Sequence, residues 1–265
     1  MSMCVINVVN NTYQKYIPMF LFFCVTSYPE YSHRILLTGK LNDKYKKIIS
    51  VLKNMADIEV ISNYFQKEYV GHELKVLRWL IKQDDFLNWD NLYIGDIDII
   101  ICKEEKSLET QHLNHSIKNK IPYSNSVRPN SKRLSGLHFI CRNLYYKQMN
   151  DVLEKYRKMH KNRMLKNCKN EMILYKMIEE SGLKFPDGWN RPHHGLHLGL
   201  WRGKKNRKIT EKAWSVIGKE DYRQHYNFFK NIENDKLYKQ IYKVEPLSEI
   251  TYMKENLDLE FGIML

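Results

Sequence analysis

The chain has 265 residues, of which 43% are hydrophobic and 12% aromatic. This composition supports a sizeable buried core and excludes wholesale disorder. Lys and Arg exceed Asp and Glu by 43 to 30, and the net charge of +13 favours an anionic partner: nucleic acid, an acidic membrane surface or a phosphorylated substrate. Five cysteines without a CxxC pair disfavour a disulfide scaffold or a structural zinc cluster, and they fit a reducing compartment.

The most apolar run of the sequence is residues 17–25, which is too short for a membrane span of about 20 residues. It also lacks the charged start and the small-residue cleavage site of a signal peptide. We interpret this run as a buried helix. We therefore expect a cytoplasmic protein whose only membrane contact is peripheral, at the inner face.

The first hundred residues alternate between strand patterns and helix patterns. Short apolar or β-branched runs predict strands at 4–9, 33–38, 58–61 and 92–101. Helices are predicted at 16–27, after the N-cap candidate Asn42, and along the stripe formed by Val70, Leu74, Leu77 and Ile81. This rhythm predicts an α/β domain whose mostly parallel sheet is covered by helices on both faces.

The second half is less regular. Residues 136–141 predict a lone strand, and helices are predicted near 142–169 and over 172–178, the last ending at a left-handed cap on Gly182. After Pro186 the sequence is dense in Gly, His, Arg and Trp, and we predict no regular element there. Because no Ser/Gly- or Pro-rich linker divides the chain, we interpret residues 1–265 as a single domain.

Two carboxylates interrupt the last strand of the first half, where residues 91–101 read NLYIGDIDIII. Asp96 and Asp98 are two positions apart, so an ideal strand would turn both to one face. Ionised carboxylates among isoleucines repel each other and lose hydration unless a cation neutralises them. Because carboxylate oxygens suit divalent metals and parallel sheets bind ligands at strand carboxyl ends, we predict a metal site. The alternatives are a solvated edge strand or a pair that caps a turn.

Three histidines lie within five positions of the segment RPHHGLHLGLWR, residues 191–202. Clustered imidazoles beside glycines suggest a ligand loop. They do not form a zinc site alone, because no Cys or second His pair follows at a suitable spacing. We favour one histidine that completes the aspartate site over a polar surface loop with incidental histidines. The basic run after it (Lys204, Lys205, Arg207, Lys208 and Lys212) is either a solvated face or a contact with phosphates.

Taken in order over residues 4–202, these motifs resemble GT-A-fold glycosyltransferases that use nucleotide-sugar donors, most of all the glycogenin and lipopolysaccharide-galactosyltransferase type. The stretch VVNNTY, residues 8–13, resembles the family's first strand and the Tyr that holds the nucleobase. The DxD motif is YIGDID, residues 93–98, and Arg78 precedes it as in the family. HLGLWR, residues 197–202, loosely resembles the late His-Gly-Lys-Pro-Trp-type segment, although Lys-Pro-Trp is absent and His194-Gly195 offers a competing alignment.

The resemblance implies a role for each of these positions. Asp96, Asp98 and His197 would hold Mn²⁺ or Mg²⁺, which bridges the diphosphate of the donor. The donor itself would contact Asn10, Tyr13, Arg78, Asp96 and Arg202. Asn170 and Glu171 stand where the family has an Asp-Gln-type pair, so Glu171 would shield the sugar, attack it or act as a base, and the stereochemistry stays open. The strand at Gly136 would line the donor sugar, with Ser135 before it and His138 as a packed residue.

The predicted function is a metal-dependent, hexosyltransferase-type glycosyltransferase of surface polysaccharide assembly, of capsule or lipopolysaccharide. Residues 1–101 would bind the nucleotide sugar, with UDP favoured, and residues 102–265 a glycan or lipid-linked acceptor. The alternative is a basic, metal-dependent nucleic-acid-binding protein or nuclease that uses Asp96, Asp98 and the histidines. Because no helix-turn-helix, RNA-recognition or OB pattern accompanies the acids, we expect no nucleic-acid partner. A catalytically dead GT-A interaction module is the third hypothesis.

Overall fold

A computed structural model describes residues 2–65, 69, 72–166, 168–202, 215 and 217–262 of the chain. The strands are β1 (Met3–Val9), β2 (Ser32–Leu37), β3 (Ile58–Ile61), β4 (Asn91–Ile94), β5 (Ile99–Ile100), β6 (Tyr123–Ser124), β7 (His138–Cys141) and β8 (Leu196–His197). The α-helices are α1 (Ile17–Ser27), α2 (Asp43–Lys53), α3 (His72–Leu77), α4 (Leu108–Asn119), α5 (Arg142–Lys161), α6 (Asn170–Glu180), α7 (Lys219–Ile232), α8 (Lys236–Val244) and α9 (Ser248–Glu260). Short 3₁₀ helices cover Asn11–Tyr16, Gln83–Phe86 and Leu198–Trp201.

The central sheet has six strands in the order β3-β2-β1-β4-β7-β6. β1 pairs in parallel with β2 and β4, and β2 pairs in parallel with β3. β7 is antiparallel to both of its neighbours, so it alone runs against the other strands of this sheet. The mostly parallel α/β sheet predicted from the sequence is therefore confirmed. β5 and β8 form a separate antiparallel pair.

The sheet is buried on both faces, and β1 shows why. Its side chains alternate: Met3, Val5 and Val9 pack in a core with α1, α2 and the C-terminal helices, whereas Cys4 and Ile6 pack in a second core with α5 and α6. The apolar run 17–25 lies in α1 and is buried, as expected. Among the described residues, no helix has both the length and the apolar character that a bilayer crossing requires.

Two residues predicted to mark helix ends, Asn42 and Gly182, have the expected contact or conformation. The Asn42 side chain accepts a hydrogen bond from the Lys44 N–H at 3.1 Å and so caps the N-terminus of α2. After α6, Gly182 has a φ of +73°, the left-handed conformation that glycine adopts without a Cβ penalty. Both elements therefore begin or end near the expected residues.

Several predicted elements were wrong in extent. The helix expected along 70–81 is described only as α3: Val70 lies outside the described residues, and the Trp79 and Leu80 amides bond to the carbonyls three residues before them, which tightens the chain into turns. The helix expected to residue 169 ends at Lys161, and Arg163 adopts a left-handed φ of 58°. The stretch after Pro186, expected to be irregular, contains β8 and a 3₁₀ turn.

The most consequential correction concerns the predicted strand 92–101. The chain leaves β4 after Ile94, bends through residues 95–98, and starts β5 at Ile99. β4 stays in the central sheet, whereas β5 pairs with β8. Asp96 and Asp98 therefore lie in a turn between two sheets and not on one face of a strand. This turn lies at the carboxyl end of β4, where the parallel sheet was expected to present its ligands.

Candidate functional site

A cavity of about 450 Å³ opens where β1 and β4 end. Its walls come from the 3₁₀ turn after β1, from α3 and the residue after it, from the β4–β5 turn, from the start of α6 and from the segment after β8. Nine site residues predicted from the sequence line this cavity: Asn10, Tyr13, Arg78, Asp96, Asp98, Asn170, Glu171, His197 and Arg202. A larger cavity, of about 770 Å³, lies among α7, α8 and α9 and contains none of them.

Asp96, Asp98 and His197 form the predicted metal group. Their candidate ligand atoms all lie within 4.8 Å of one another, and the His197 Nε2 is 3.7 Å from an Asp96 carboxylate oxygen. The β5–β8 register brings this about: it places His197 opposite Ile99, and the Leu198 N–H then bonds to the Asp98 carbonyl at 2.8 Å. A short strand pair thus delivers the histidine beside the two acids.

These three residues fit a divalent cation by their chemistry, because carboxylate oxygens and imidazole nitrogens are accepted ligands of Mn²⁺. Because Gly199 has no Cβ, the loop after β8 can pass close to the side chains of Asp98 and His197. A Cβ at this position would lie 2.7 Å both from Asp98 Oδ2 and from the His197 ring. The Gly199 N–H donates to His197 Nδ1 at 3.1 Å, so the neutral ring carries its proton on Nε2. Metal binding at Nε2 requires that this proton leaves.

An arginine neutralises each of the two aspartates. Arg78 donates to Asp96, and Arg202 donates to Asp98. Burial alone would raise the pKa of Asp96, but Arg78 and His197 outweigh burial and hold the pKa well below its usual value. Arg202 also donates to the hydroxyl of Tyr13 at 2.9 Å, and its guanidinium lies 4.9 Å from the Tyr13 ring centre. Asp96 is therefore ionised, and each of the two acids faces a cation on the cavity wall.

The first turn of α6 brings Asn170 and Glu171 to the opposite wall of the cavity. Glu171 is only 12% exposed at its side chain, and both of its oxygens accept hydrogen bonds: Oε1 from Arg128 at 2.8 Å, and Oε2 from Arg133 at 3.1 Å. The sequence analysis did not select either arginine. The only signal for them was the basic segment RPNSKR, which is 38 to 43 residues from Glu171 and has no motif spacing to it.

The competing histidine, His194, lies elsewhere. It is fully buried, and its Nδ1 is 2.5 Å from Glu104 Oε2, while His225 Nε2 approaches the other oxygen of Glu104 at 2.7 Å. Burial lowers the pKa of His194, so the ring is neutral and donates to the carboxylate. The structure therefore groups His197, and not His194, with Asp96 and Asp98. Glu104 and His225 were not selected from the sequence.

The remaining predictions have mixed outcomes. The segment before β7 does approach the site, because a Cβ on Gly136 would lie 3.0 Å from an Asp96 oxygen and 3.1 Å from Arg78. Ser135 and His138 are buried and are not among the residues that line the cavity. His138 Nδ1 bonds with Asn125 at 3.1 Å, so it is the packed strand residue that we expected. The basic run 204–212 lies outside the described residues.

No protein-family model and no curated protein sequence matches the chain. Among solved structures, the glycosyltransferase GlyE of Streptococcus pneumoniae TIGR4 aligns with a TM-score of 0.52 at 11% identity, over 98% of this chain and 64% of that one. The apo form of GlyE gives 0.47 at 12%, over 68% and 44% of the two chains. An active-site mutant of LgtC gives 0.39 at 11%, over 65% and 69%. This chain thus spans less than two-thirds of either GlyE chain.

At these identities the comparison concerns the fold. The alignment at a TM-score of 0.52 covers nearly the whole of this chain, and the protein aligned is a glycosyltransferase. The mixed α/β fold with a mostly parallel central sheet is therefore the GT-A type that the sequence predicted.

Proposed function

We propose that the chain is a metal-dependent glycosyltransferase that binds a nucleoside-diphosphate sugar in the cavity beside β1 and β4. The observation that carries the proposal is that one cavity holds an Asp-Asp-His group together with two arginines, Arg78 and Arg202. A divalent cation bound by the three ligands would neutralise the charge that develops on the leaving diphosphate. The fold shared with GlyE supports the proposal.

On the donor side, the contacts of the described residues suggest separate roles. Asn10 Oδ1 accepts from the Tyr13 N–H at 3.0 Å and thereby caps the turn that presents Tyr13. Asn10 thus positions Tyr13, whose ring would stack on the nucleobase. Arg202 is held by Tyr13, Tyr16 and Asp98. Its planar guanidinium can make paired charge-assisted bonds to a phosphate, and Arg78 would contact the sugar or the phosphates.

At the reacting carbon we propose Glu171, with Asn170 beside it. Among the described residues that line the cavity, Glu171 is the one carboxylate outside the metal group. Both of its oxygens already accept hydrogen bonds, from Arg128 and Arg133, which leaves fewer lone pairs for the proton of an acceptor hydroxyl. This favours a carboxylate that attacks or shields the sugar carbon over one that acts as a base, and hence retention of the anomeric configuration.

The biological context is proposed from the net charge of +13 and the resemblance. We propose a UDP-sugar as donor and a glycan or lipid-linked acceptor of surface polysaccharide assembly, with peripheral contact to an anionic membrane. No contact among the described residues favours the alternative of a nucleic-acid-binding protein or nuclease.

The experiment that tests this proposal is a thermal-shift screen followed by a donor-hydrolysis assay. A ligand that binds the folded state raises its melting temperature. We expect a nucleoside diphosphate to stabilise the protein only when Mn²⁺ is present, and we expect at least one nucleotide sugar to be hydrolysed slowly without an acceptor. Stabilisation by an oligonucleotide, with no response to any nucleoside diphosphate, would contradict the proposal.

A further inference from the structure

A second cationic cluster lies beside the cavity, next to Glu171. It consists of Arg128, Trp189, Arg191 and His193, and we call it the Trp189 cluster. The guanidinium carbons of Arg128 and Arg191 lie 5.8 Å and 5.9 Å from the centre of the Trp189 ring, within cation–π range. Arg191 Nη2 approaches His193 Nδ1 at 3.4 Å. The cluster therefore places two guanidinium groups around one partly exposed aromatic ring.

Arg191 forms no ion pair with any carboxylate of the described residues. The residue is only 9% exposed, its Nη1 donates to the Pro192 carbonyl at 2.6 Å, and its Nε has no hydrogen-bond partner. Across the described part of the chain, no carboxylate lies within ion-pair distance of its guanidinium. Burial lowers the pKa of Arg191, and the charge of Arg128 adds to this effect, whereas Tyr93 and the more distant Asp96 oppose it without cancelling it. Buried cations in proteins are normally paired, so this arrangement calls for an anion.

The other arginines around the cavity are paired. Arg78 contacts Asp96, Arg202 contacts Asp98, and Arg128 and Arg133 share Glu171. Contact with a tryptophan does not by itself leave an arginine unpaired. Arg34 lies 4.7 Å from the Trp89 ring centre and still forms an ion pair with Asp57 at 2.9 Å.

The position of the cluster relates it to the reacting end of the cavity. Arg128 donates to Glu171, so the cluster begins one side chain away from the carboxylate that we place at the sugar carbon. Arg191 and His193 open the segment that continues to His197 in the metal group, and the Arg191 N–H is anchored to Ser126 Oγ at 2.9 Å. The Trp189 cluster is thus joined to Glu171 through Arg128 and to the metal group through the segment 191–197.

We propose that the Trp189 cluster is the acceptor subsite and binds an oxyanion, a phosphate or a carboxylate, carried by the acceptor saccharide. Guanidinium groups form paired, charge-assisted hydrogen bonds to either oxyanion, and the Trp189 ring offers an apolar face to a sugar ring. The assignment to the acceptor rests on the proposed function, whereas the anion site itself does not. The acceptor is accordingly an acidic saccharide and not a neutral one.

Calorimetric titration with small probes tests this proposal. Glucose 6-phosphate, glucuronate and glucose are titrated into the full chain, once alone and once with Mn²⁺ and UDP present to fill the donor cavity. The variants are Arg191→Gln and Trp189→Ala. The matched control is Arg34→Gln, which removes an arginine that also stacks on a tryptophan but is already paired with an acid.

We expect the wild type to bind at least one anionic probe more tightly than glucose, with or without UDP. Arg191→Gln should weaken that binding by about tenfold or more, the size of a lost charged hydrogen bond, and Trp189→Ala by about threefold. Arg34→Gln should change it by less than about twofold. Which of the two anions binds more tightly identifies the acceptor group as phosphate or carboxylate.

Equal affinity for glucose and both anions would overturn the proposal, and so would an anion affinity that is unchanged in Arg191→Gln. If Arg191→Gln does not fold, Trp189→Ala decides, because the Trp189 ring is partly exposed and carries no charge. The two proposals fail separately. A wild type that does not bind UDP with Mn²⁺ contradicts the proposed function, whereas anion binding that ignores the Trp189 cluster contradicts this inference.

Discussion

Two clusters of carboxylates and histidines share the same two stretches of chain, with His225 of α7 added to the second, yet only one of them opens on the cavity. The first is the metal group, Asp96, Asp98 and His197. The second is the buried network of Glu104 with His194 and His225. β5 and β8 run antiparallel between them, so that His197 meets Asp98 at one end and His194 meets Glu104 at the other.

The two clusters differ in what remains available to a ligand. In the metal group, the side chains of Asp96 and His197 are 31% and 28% exposed, and their nearest atoms are 3.7 Å apart. In the buried network, each Glu104 oxygen is bonded to an imidazole at 2.5 or 2.7 Å, and His194 is fully buried. The same residue types therefore leave room for a ligand in one place and form a buried hydrogen-bonded network in the other. Solvent access and free lone pairs decide between the two.

The largest expected effect comes from deleting one carboxylate in each cluster. Asp98→Ala should lower turnover by on the order of 10²-fold or more, because the protein loses a ligand of the cation that would stabilise the leaving diphosphate. The variant should still fold. Glu104→Ala should instead impair folding, because it leaves His194 and His225 buried without their acceptor. Turnover and circular dichroism of both variants check this. Full metal-dependent activity in Asp98→Ala would contradict the assignment of the metal group.

The next largest effect concerns the rate of the variant Glu171→Gln, which lacks the carboxylate that we propose at the reacting carbon. Glu171→Gln should bind donor and metal normally and still lose on the order of 10²-fold in kcat, since the carboxylate is needed only at the transition state. Arg133→Gln is the matched control, because it breaks one of the ion pairs and keeps the carboxylate. If Arg133→Gln loses as much rate as Glu171→Gln, Glu171 acts by holding its arginines. The anomeric configuration of the product, read by NMR, then distinguishes retention from inversion.

A smaller effect separates the two histidines. His197→Ala should weaken Mn²⁺ binding by about tenfold, less than the loss of an aspartate, because a neutral imidazole contributes no charge. His194→Ala should leave the metal affinity unchanged and lower the free energy of unfolding by about 1–3 kcal/mol, since Glu104 loses a buried partner. Electron paramagnetic resonance titration of Mn²⁺ and urea unfolding measure the two quantities. A loss of metal affinity confined to His194→Ala would show that the alignment is wrong.

The smallest effect is a pH dependence of stability that belongs to the buried network. Burial raises the pKa of Glu104, but hydrogen bonds from His194 and His225 outweigh it and lower the pKa to about 2, from an ordinary value of 4.5. A carboxyl with a depressed folded-state pKa stabilises the fold above its unfolded pKa and loses that contribution as the pH falls through the folded value. We therefore expect a loss of stability between about pH 4.5 and pH 2.

Glu104→Gln should flatten this acid transition, because an amide does not titrate, even though its stability at neutral pH is lower. Urea midpoints at several pH values check the expectation. A variant whose stability falls with pH as steeply as that of the wild type would show that other groups dominate acid unfolding.

The sequence was sufficient for five of the six strands of the central sheet, because those strands carry a physical signal, whereas the two-residue β6 was not predicted. The residues of β1 alternate between two buried faces, and Asn42 and Gly182 mark helix ends through local chemistry. β5 and β8 have two residues each, too few for any periodicity. The run NLYIGDIDIII was therefore predicted to be one strand. In the structure it forms two strands, β4 and β5, because β5 pairs with β8, and this pairing is a tertiary contact that the local sequence does not show.

The candidate site shows the same difference between residues that the sequence indicates and residues that only tertiary contacts reveal. Asp96 and Asp98 were found from their spacing within a strand pattern and His197 from the histidine cluster, whereas the other predicted cavity residues came from the resemblance to GT-A glycosyltransferases. The residues that were missed are partners from distant parts of the chain: Arg128 reaches Glu171 across 43 positions, and His225 reaches Glu104 across 121. Likewise, His194 and His197 are equivalent in the sequence, and only the β5–β8 register shows which of them faces the aspartates.

The central claim is that the cavity between Tyr13 and Glu171 binds a nucleoside diphosphate through a metal held by Asp96, Asp98 and His197. Calorimetric titration of UDP into the wild type, with Mn²⁺ and again with EDTA, tests it most directly. The account predicts saturable binding of one UDP per chain with Mn²⁺, at least about tenfold weaker binding with EDTA, and no effect of Mn²⁺ in Asp98→Ala. Equal UDP affinity with Mn²⁺ and with EDTA, or undiminished Mn²⁺-dependent binding in Asp98→Ala, would contradict it.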